Sequence, residues 1–511
     1  MIDDPQADVM ALMMDPRSHG GSSVERIDTH ISHIFLTGDR AWKMKRAVRL
    51  PYVDFSSPEL RFAACRREVE LNSATAPGLY LGCHVVARRP GGGVAIDGEG
   101  ELVDAVIEMR RFDQADLLDR MAVRGELSAE LVTRVARMIA DFHATAPGGP
   151  RAGGADRMMA VLTINQAALR TSGVFSDEEA SAITSACRDA LERHRALLDR
   201  RAAEGLVRRC HGDLHLRNIC LMAGEPRLFD CIEFNDELAT TDVLYDLAFL
   251  LMDLWYRGLG PLANLAANRY FDVAGHDEDF TLLPFFIAVR AAIRAHVIAM
   301  QSVDAGVKAQ PLRAEAQQYL ALAHAALKIS APLLVAIGGL SGTGKSTLAD
   351  ALAPHMGPPP GARIIESDRI RKALYGAPAE TRLPAVAYKP EVSAKVYAQL
   401  ADRARRCVAA GVCIVSDAVF ERSTDRERME VVAQSAGVPF RGFWLRSDPS
   451  LLRARVAARR GGVSDATVEV LEKQLARDPG KIRWAALNAA SPVEGNAMAI
   501  LGQILSGAVA R

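Results

Sequence analysis

The sequence predicts two domains of different class: an α+β domain, followed by an α/β domain built on a parallel sheet. Three observations carry this. From Asp28 to about Met109 short apolar runs alternate with polar residues around one helical break, and from about Ser128 to Gln301 helical spacing dominates. Beyond residue 332 the pattern changes to the short apolar runs LLVAIGG, ARIIES, VCIVS and FRGFWL, separated by helical segments. Strands that alternate with helices pair in parallel. A chain of 511 residues also exceeds what one core organises.

The expected boundaries are a flexible N-terminal segment over 1–24, a first domain over 25–328 and a second over 329–511. Residues up to about Gly21 read as a frayed lead-in. HIFLTGDRAWKMK reads as a hairpin turning at Thr37 to Arg40, and SPELRFAACRREVELNSAT as a helix. GGGVAIDGEG makes two glycine turns between strands; no helix follows, so it is not a dinucleotide fingerprint. PLRAEAQQYLALAHAALKISAP reads as one helix ending at Pro332.

Composition excludes several classes. Lys plus Arg and Asp plus Glu both number 62, so the formal net charge is zero, which argues against a dedicated nucleic-acid binder. The eight cysteines form no CxxC pair and read as reduced thiols. The acidic start MIDDPQADVM is unlike a signal peptide. No uncharged apolar run reaches bilayer length, and VLYDLAFLLMDLWY, with two aspartates, reads as a buried helix. A cytoplasmic location and no membrane partner are expected.

CHGDLHLRNICL places His211, Asp213, Leu214 and Asn218 at a spacing that resembles the protein-kinase catalytic loop H-x-D-L-x-x-x-N. Gly212 stands where protein kinases carry Arg. Phosphoryl transfer needs a group to orient the acceptor hydroxyl, cations on the phosphates and a lysine on the nucleotide. Asp213 suits the first task and Asn218 the second. The hairpin ICLMAGEPRLFD ends at Asp230, a second metal candidate, and His211 is expected to support the loop. AWKMK resembles the kinase strand motif V-A-I-K, so Lys43 is expected on the nucleotide phosphates. Lys45 points to the same strand face and stays a second candidate. Glu68 on the following helix is the expected ion-pair partner. Asp242 and Asp246 read as a helix cap and a loop anchor.

This combination resembles the aminoglycoside phosphotransferase family, which implies a two-lobed protein-kinase-like fold, ATP and Mg2+. DTHISHIFLTGDRAWKMK and MRRFDQADLLDR resemble one bacterial branch that is fused to a P-loop kinase. There are departures. No G-x-G-x-x-G loop is present, so Thr37 to Arg40 would have to cover the phosphates. The Phe-Gly of D-F-G and the A-P-E motif are absent. With Gly212 in place of the arginine that reads a phosphorylated activation loop, a small-molecule hydroxyl acceptor is favoured over a protein.

In the second half, GGLSGTGKST holds G-x-x-x-x-G-K-S from Gly339 to Ser346, after an apolar strand and before a helix. Backbone N–H groups of Gly339, Ser341, Gly342, Thr343 and Gly344 are expected to face phosphates, with Thr347 adjoining them. Lys345 would reach the β- and γ-phosphates, and the Ser346 hydroxyl would bind magnesium. Asp368, past the second strand, is a candidate base, or else a helix cap. Arg371, one turn on, would bind an anionic part of the acceptor. Asp417 ends the next strand in a Walker-B-like place for magnesium. Arg455 and Arg459 would close over the transferring phosphate as a lid, or else form a solvated face. This half resembles small P-loop kinases of the gluconate kinase, adenylylsulfate kinase, polynucleotide 5′-kinase and zeta-toxin group. It has no Walker B followed by Glu, so a mechanical AAA-type ATPase is less expected than a kinase.

The leading expectation is a bifunctional phosphotransferase with two ATP–magnesium sites. The alternatives are one domain sensing nucleotide to regulate the other, a polynucleotide 5′-hydroxyl kinase in the P-loop half, and an antibiotic-modifying enzyme.

Overall fold

A computed structural model of the chain describes residues 5–50, 53–303 and 305–509. Its contacts divide it into two compact units: residues 1–135, 142–154 and 200–250, and residues 136–141, 155–199 and 251–511.

The first unit is organised by a six-stranded antiparallel sheet. Its order is Val24–Asp28, Ser32–Thr37, Arg40–Lys45, Glu101–Arg110, Tyr80–Arg88 and Val94–Ile96. The hairpin turns at Gly38, where φ is +50°, with Thr37 opposite Arg40. Alternation along Arg40–Lys45 sorts its side chains. Trp42 and Met44 pack with Phe35, Val86 and Val106, while Ala41 joins the opposite cluster of Cys65, Leu79, Tyr80 and Ile107. Lys43 and Lys45 share the face of Ala41, which meets the helix Pro58–Thr75. Ser57 caps that helix by accepting from Leu60 N, and Pro58 fills its first turn, where no N–H is needed.

The lead-in is not frayed. Residues Ala7–Met14 form a helix whose Val9 and Met13 are fully buried in the cluster around Trp42. Gln6 ties it down, donating to Lys45 O (2.8 Å) and Asp104 Oδ2 (2.7 Å) and accepting from Ala47 N (2.7 Å). The sheet has an apolar second face that needs a cover, and the apolar residues of ADVMALMM supply it.

The helical stretch contains Gly154–Thr171, Asp177–Ala203, Val243–Tyr256, Gly260–Ala274, Leu283–Ser302 and Ala309–Ala326. The last ends before Lys328, not at Pro332, because Leu327 already closes its final turn onto Ala323 O and the chain must then extend into the strand Leu334–Gly339. By composition 277–302 could cross a membrane, but 72% of its apolar window is buried inside the protein, as in a core helix.

The second unit carries a five-stranded parallel sheet, ordered Arg363–Glu366, Ile414–Asp417, Leu334–Gly339, Phe440–Arg446 and Ala485–Asn488. The central strand is buried at every residue, as expected for a parallel strand covered on both faces. The carboxyl ends of three strands deliver Gly339, Glu366 and Asp417 to one edge, where open α/β sheets bind ligands.

Candidate active sites

In the first unit Lys43 Nζ donates to Glu68 Oε1 at 2.8 Å and to Asp230 Oδ1. Burial works against the Lys43 charge, but Asp230, Glu68 and Glu233 more than offset this and keep the ammonium protonated. Lys45 is also bound to Glu68, through Oε2 at 2.5 Å, and reaches Glu233 as well. Burial alone would raise the Glu68 carboxyl, yet the two ammonium groups hold it down to about 2. Lys43 contacts Asp230 at the catalytic edge, whereas Lys45 is 1% exposed and sits behind it. Both sequence candidates therefore share one carboxylate, and only Lys43 meets the metal candidate. Glu233 was not anticipated; its place three residues after Asp230 was the only signal.

The catalytic loop is held from behind. His211 is fully buried, kept neutral by burial, and bonds Phe229 O at 2.9 Å. Asp246 accepts from His211 N (3.2 Å) and Gly212 N (2.8 Å), and Asp242 caps Leu244 N at 2.8 Å while receiving two bonds from Arg201. Gly212 has φ +84°, and a Cβ there would lie 2.8 Å from the Ile232 side chain. Asn218 Nδ2 donates to Asp213 O and Asp213 Oδ2, both at 2.9 Å, which leaves its amide oxygen as the atom for a cation. Asp230 sits in the left-handed region at φ +61°, and its backbone N–H donates to Tyr80 Oη at 3.1 Å. Amide and carboxylate oxygens are the hard donors magnesium prefers, so Asn218 and Asp230 fit such an ion. A cavity of about 400 Å3 lined by Gly38, Asp39 and Arg111 to Gln114 lies beside the hairpin turn.

In the second unit the loop Gly339 to Gly344 leads into the helix Lys345–Leu352. Gly339, Gly342 and Gly344 have φ of +143°, +86° and +85°, and a Cβ on Gly339 would approach Leu445 O to 2.8 Å. Thr343 Oγ1 and Lys345 Nζ both donate to Leu340 O, at 2.8 and 3.2 Å. Ser341 N donates to Gln474 Oε1, a contact the motif does not reveal. Ser346 Oγ donates to Asp417 Oδ2, and burial pushes the Asp417 carboxyl up to about 7 against the pull of Lys345. This hydroxyl–carboxylate pair fits a magnesium ion. Thr347 lies in the first turn of the helix.

Asp368 lies within the first turn of the helix Ser367–Leu374, whose cap position belongs to Glu366, so it is not the cap. Burial raises its carboxyl, with Lys345 and Ser464 opposing. Arg371 is buried, donates to Ala387 O at 2.7 Å and stands over the Tyr388 ring at 4.9 Å. Its Nε has no protein partner. The two candidate lid arginines differ: Arg455 lies on the helix Pro449–Ala458 and donates to Ala489 O at 2.9 Å, while Arg459 follows the end of that helix. Asp465, unremarked in the sequence, accepts from Lys372 Nζ (2.6 Å), Leu383 N (2.9 Å) and Tyr388 Oη. It joins the segment after Arg459 to the Arg371 side.

Fold and sites define a kinase, a phosphotransferase assembled from two kinase-type domains. Residues 57–280 match the phosphotransferase enzyme family and residues 334–478 an AAA domain family. The chain belongs to the family that includes an uncharacterized protein of Mycobacterium tuberculosis, 31% identical over 462 residues, with 88% of this chain and 89% of that protein covered. An adenylyl-sulfate kinase of Myxococcus xanthus is 27% identical over 126 residues, 25% of this chain and 64% of its own length. Two solved structures resemble separate parts. A choline/ethanolamine kinase family protein from Mesorhizobium loti covers 63% of this chain and 95% of its own, at 15% identity and a TM-score of 0.40. A gluconokinase from Sinorhizobium meliloti covers 35% of this chain and 96% of its own, at 23% identity and 0.26.

Proposed function

We propose that the protein is a bifunctional ATP-dependent phosphotransferase with two separate ATP–magnesium sites, each serving a small hydroxyl-bearing acceptor. One observation carries the reading: two sets of phosphoryl-transfer groups are assembled from entirely different residues. The first joins Lys43, Glu68 and Asp230 to Asp213 and Asn218; the second joins Lys345, Ser346 and Asp417 to Asp368.

In the first site Lys43 binds the α- and β-phosphates, held in line by Glu68. Asp213 orients the acceptor hydroxyl and takes its proton as the oxygen attacks the γ-phosphorus. Asn218 and Asp230 would hold a magnesium ion, which when bound screens the phosphate charge. In the second, the backbone of Gly339 to Gly344 cradles the phosphates and Lys345 follows the γ-phosphate. Asp368, whose carboxyl burial raises, accepts the hydroxyl proton. Ser346 and Asp417 would hold the ion. Arg371 binds the acceptor, and Arg459 closes over the phosphate. Arg455, bonded to Ala489 O, orients the lid helix. The location that suits this chemistry is the ATP- and magnesium-rich cytoplasm.

The test is ATP-dependent phosphorylation across a metabolite mixture, read as mass gains of one phosphate. Activity is expected to persist in part in Asp213→Ala and in part in Lys345→Ala, and to vanish in the double variant. Full activity in the double variant rejects the proposal.

A further inference from the structure

We propose that the helix Gly260–Ala274, part of the stretch matched by the phosphotransferase family, is a working wall of the P-loop site, with Arg269 as its positioning residue. This rests on the reading of the P-loop half as a phosphoryl-transfer centre. It gives a physical reason for the two halves to share one chain.

The strand Arg363–Glu366 is the edge of the parallel sheet, and an edge presents unpaired backbone groups. Here two asparagines one helical turn apart satisfy them. Asn268 Oδ1 accepts from Ile364 N at 2.7 Å, and Asn268 Nδ2 donates to Ala362 O at 3.2 Å. Asn264 Nδ2 donates to Pro360 O and Ala362 O, both at 2.9 Å. Both side chains are buried. The helix thus takes the place of a sixth strand.

Charge locks the contact. Arg363 is wholly buried and donates to Asp277 Oδ1 (2.9 Å), Asp272 Oδ1 (2.7 Å) and Asn268 Oδ1 (2.8 Å). Arg403, on the helix Pro390–Ala409, clamps Asp277. A buried ion cluster holds its members in place strongly, because parting any pair strands a charge away from water.

Arg269 carries this lock to the chemistry. Its guanidinium lies 3.2 Å from Glu366 Oε1, 3.1 Å from Asp272 Oδ2 and 3.7 Å from Asp350 Oδ1. Glu366 ends the edge strand, pairs in register with Asp417 and stands two residues before Asp368. Asp350 lies on the helix that Lys345 begins. One cation therefore ties the strand end that presents the base to the helix that presents the phosphate-binding lysine. Without it, Asp272 keeps Arg363 at 2.7 Å, but Glu366 is left with Arg369 alone at 3.0 Å, and Asp350 loses the cation it shares with Glu366. Repulsion then shifts the end of the strand and Asp368 with it. A displacement of about 1 Å at a reacting group costs on the order of 100-fold in rate.

The experiment uses the full chain in a Lys43→Met/Asp213→Ala background, so that turnover and nucleotide binding both report the P-loop site. ATP hydrolysis, with water as acceptor, is measured beside the affinity for a fluorescent ADP analogue. Arg269→Met is expected to lower kcat about tenfold or more while the analogue's Kd stays within about twofold, since the loop backbone is untouched. Arg269→Lys is expected to restore most of the loss. Arg269→Met/Glu366→Gln should be no worse than either single change, because the two side chains act as one unit. Unchanged kcat in Arg269→Met, additive losses in the double variant, or a loss that Arg269→Lys does not restore overturns the proposal. If Arg269→Met does not fold, Glu366→Gln decides alone: a fall in kcat at constant Kd supports the inference and an unchanged kcat overturns it. Absence of analogue binding in the parent overturns the P-loop function and this inference with it.

Discussion

Lys45 Nζ lies 2.5 Å from Glu68 Oε2, so the carboxylate that holds Lys43 through one oxygen is itself held through the other. Lys45 also binds Glu233, and Lys43 also binds Asp230, which makes a row of three carboxylates and two ammonium groups, buried except at Asp230. Removing one buried cation leaves carboxylates facing each other without compensation. Lys45→Met should therefore weaken ATP at the first site about tenfold, although Lys45 itself lies behind it. Lys45→Met/Glu233→Gln, which removes one charge of each sign, should regain most of the affinity. Titration calorimetry with a Lys345→Ala chain checks both.

Gly212 is the second case. A left-handed φ of +84° and the Ile232 side chain 2.8 Å from a Cβ leave no room for a side chain. Gly212→Arg, which would install the protein-kinase residue, should destabilise the fold by about 1–3 kcal/mol, measured by urea unfolding. It should create no protein-kinase activity.

Arg363 has no access to water and three acidic or amide partners. Arg363→Met leaves Asp272 and Asp277 each short of one buried cation, with Arg269, Arg369 and Arg403 still beside them, and should lower stability by about 3 kcal/mol. Arg363→Met with Asp277→Asn should lose less than Arg363→Met. A chain cut near residue 328 removes both aspartates from the P-loop half, so that fragment should melt well below the full chain by circular dichroism.

Two histidines make the second unit acid-sensitive. Burial depresses His194 and His296 to about 4, below the ordinary 6.5. For a group depressed on folding, the unfolded chain binds the proton first. The stability it contributes is full above about pH 6.5 and is lost as the pH falls towards 4. His296→Gln can keep the contact to Asn165 Oδ1 (2.7 Å in the native chain). The urea midpoint of this variant should fall less between pH 7 and 4.5 than that of the native chain.

Ser346 and Asp417 share one hydrogen bond. If both hold the ion, Ser346→Ala and Asp417→Asn should each raise the magnesium concentration needed for P-loop turnover, by about tenfold. EDTA should abolish turnover at both sites.

Motif spacing made much of this legible. The hairpin, the helix bearing Glu68, the catalytic loop and the glycine loop all stand at their expected residues, because each is set by local backbone preferences: alternation, helical periodicity, and glycines at positive φ. The N-terminal helix was missed because its value lies in covering a sheet face that local pattern does not display. Arg455 and Arg459 look equivalent at a spacing of four, yet Arg455 lies in the helix and donates to Ala489 O, whereas the helix ends at Ala458, before Arg459. Asp465 and Gln474 stand in stretches whose composition says only loop and helix.

By itself the sequence determined the two fold classes and picked out the candidate phosphate-handling residues, since these depend on residue type at short spacing. Tertiary structure alone decided which lysine faces the metal candidate, what backs each carboxylate, and that Asn264, Asn268 and Arg269 serve a strand about a hundred residues further on. Those relations arise between buried groups brought together by packing. The free energy of a buried charge depends on what surrounds it in space, and sequence separation carries no trace of that.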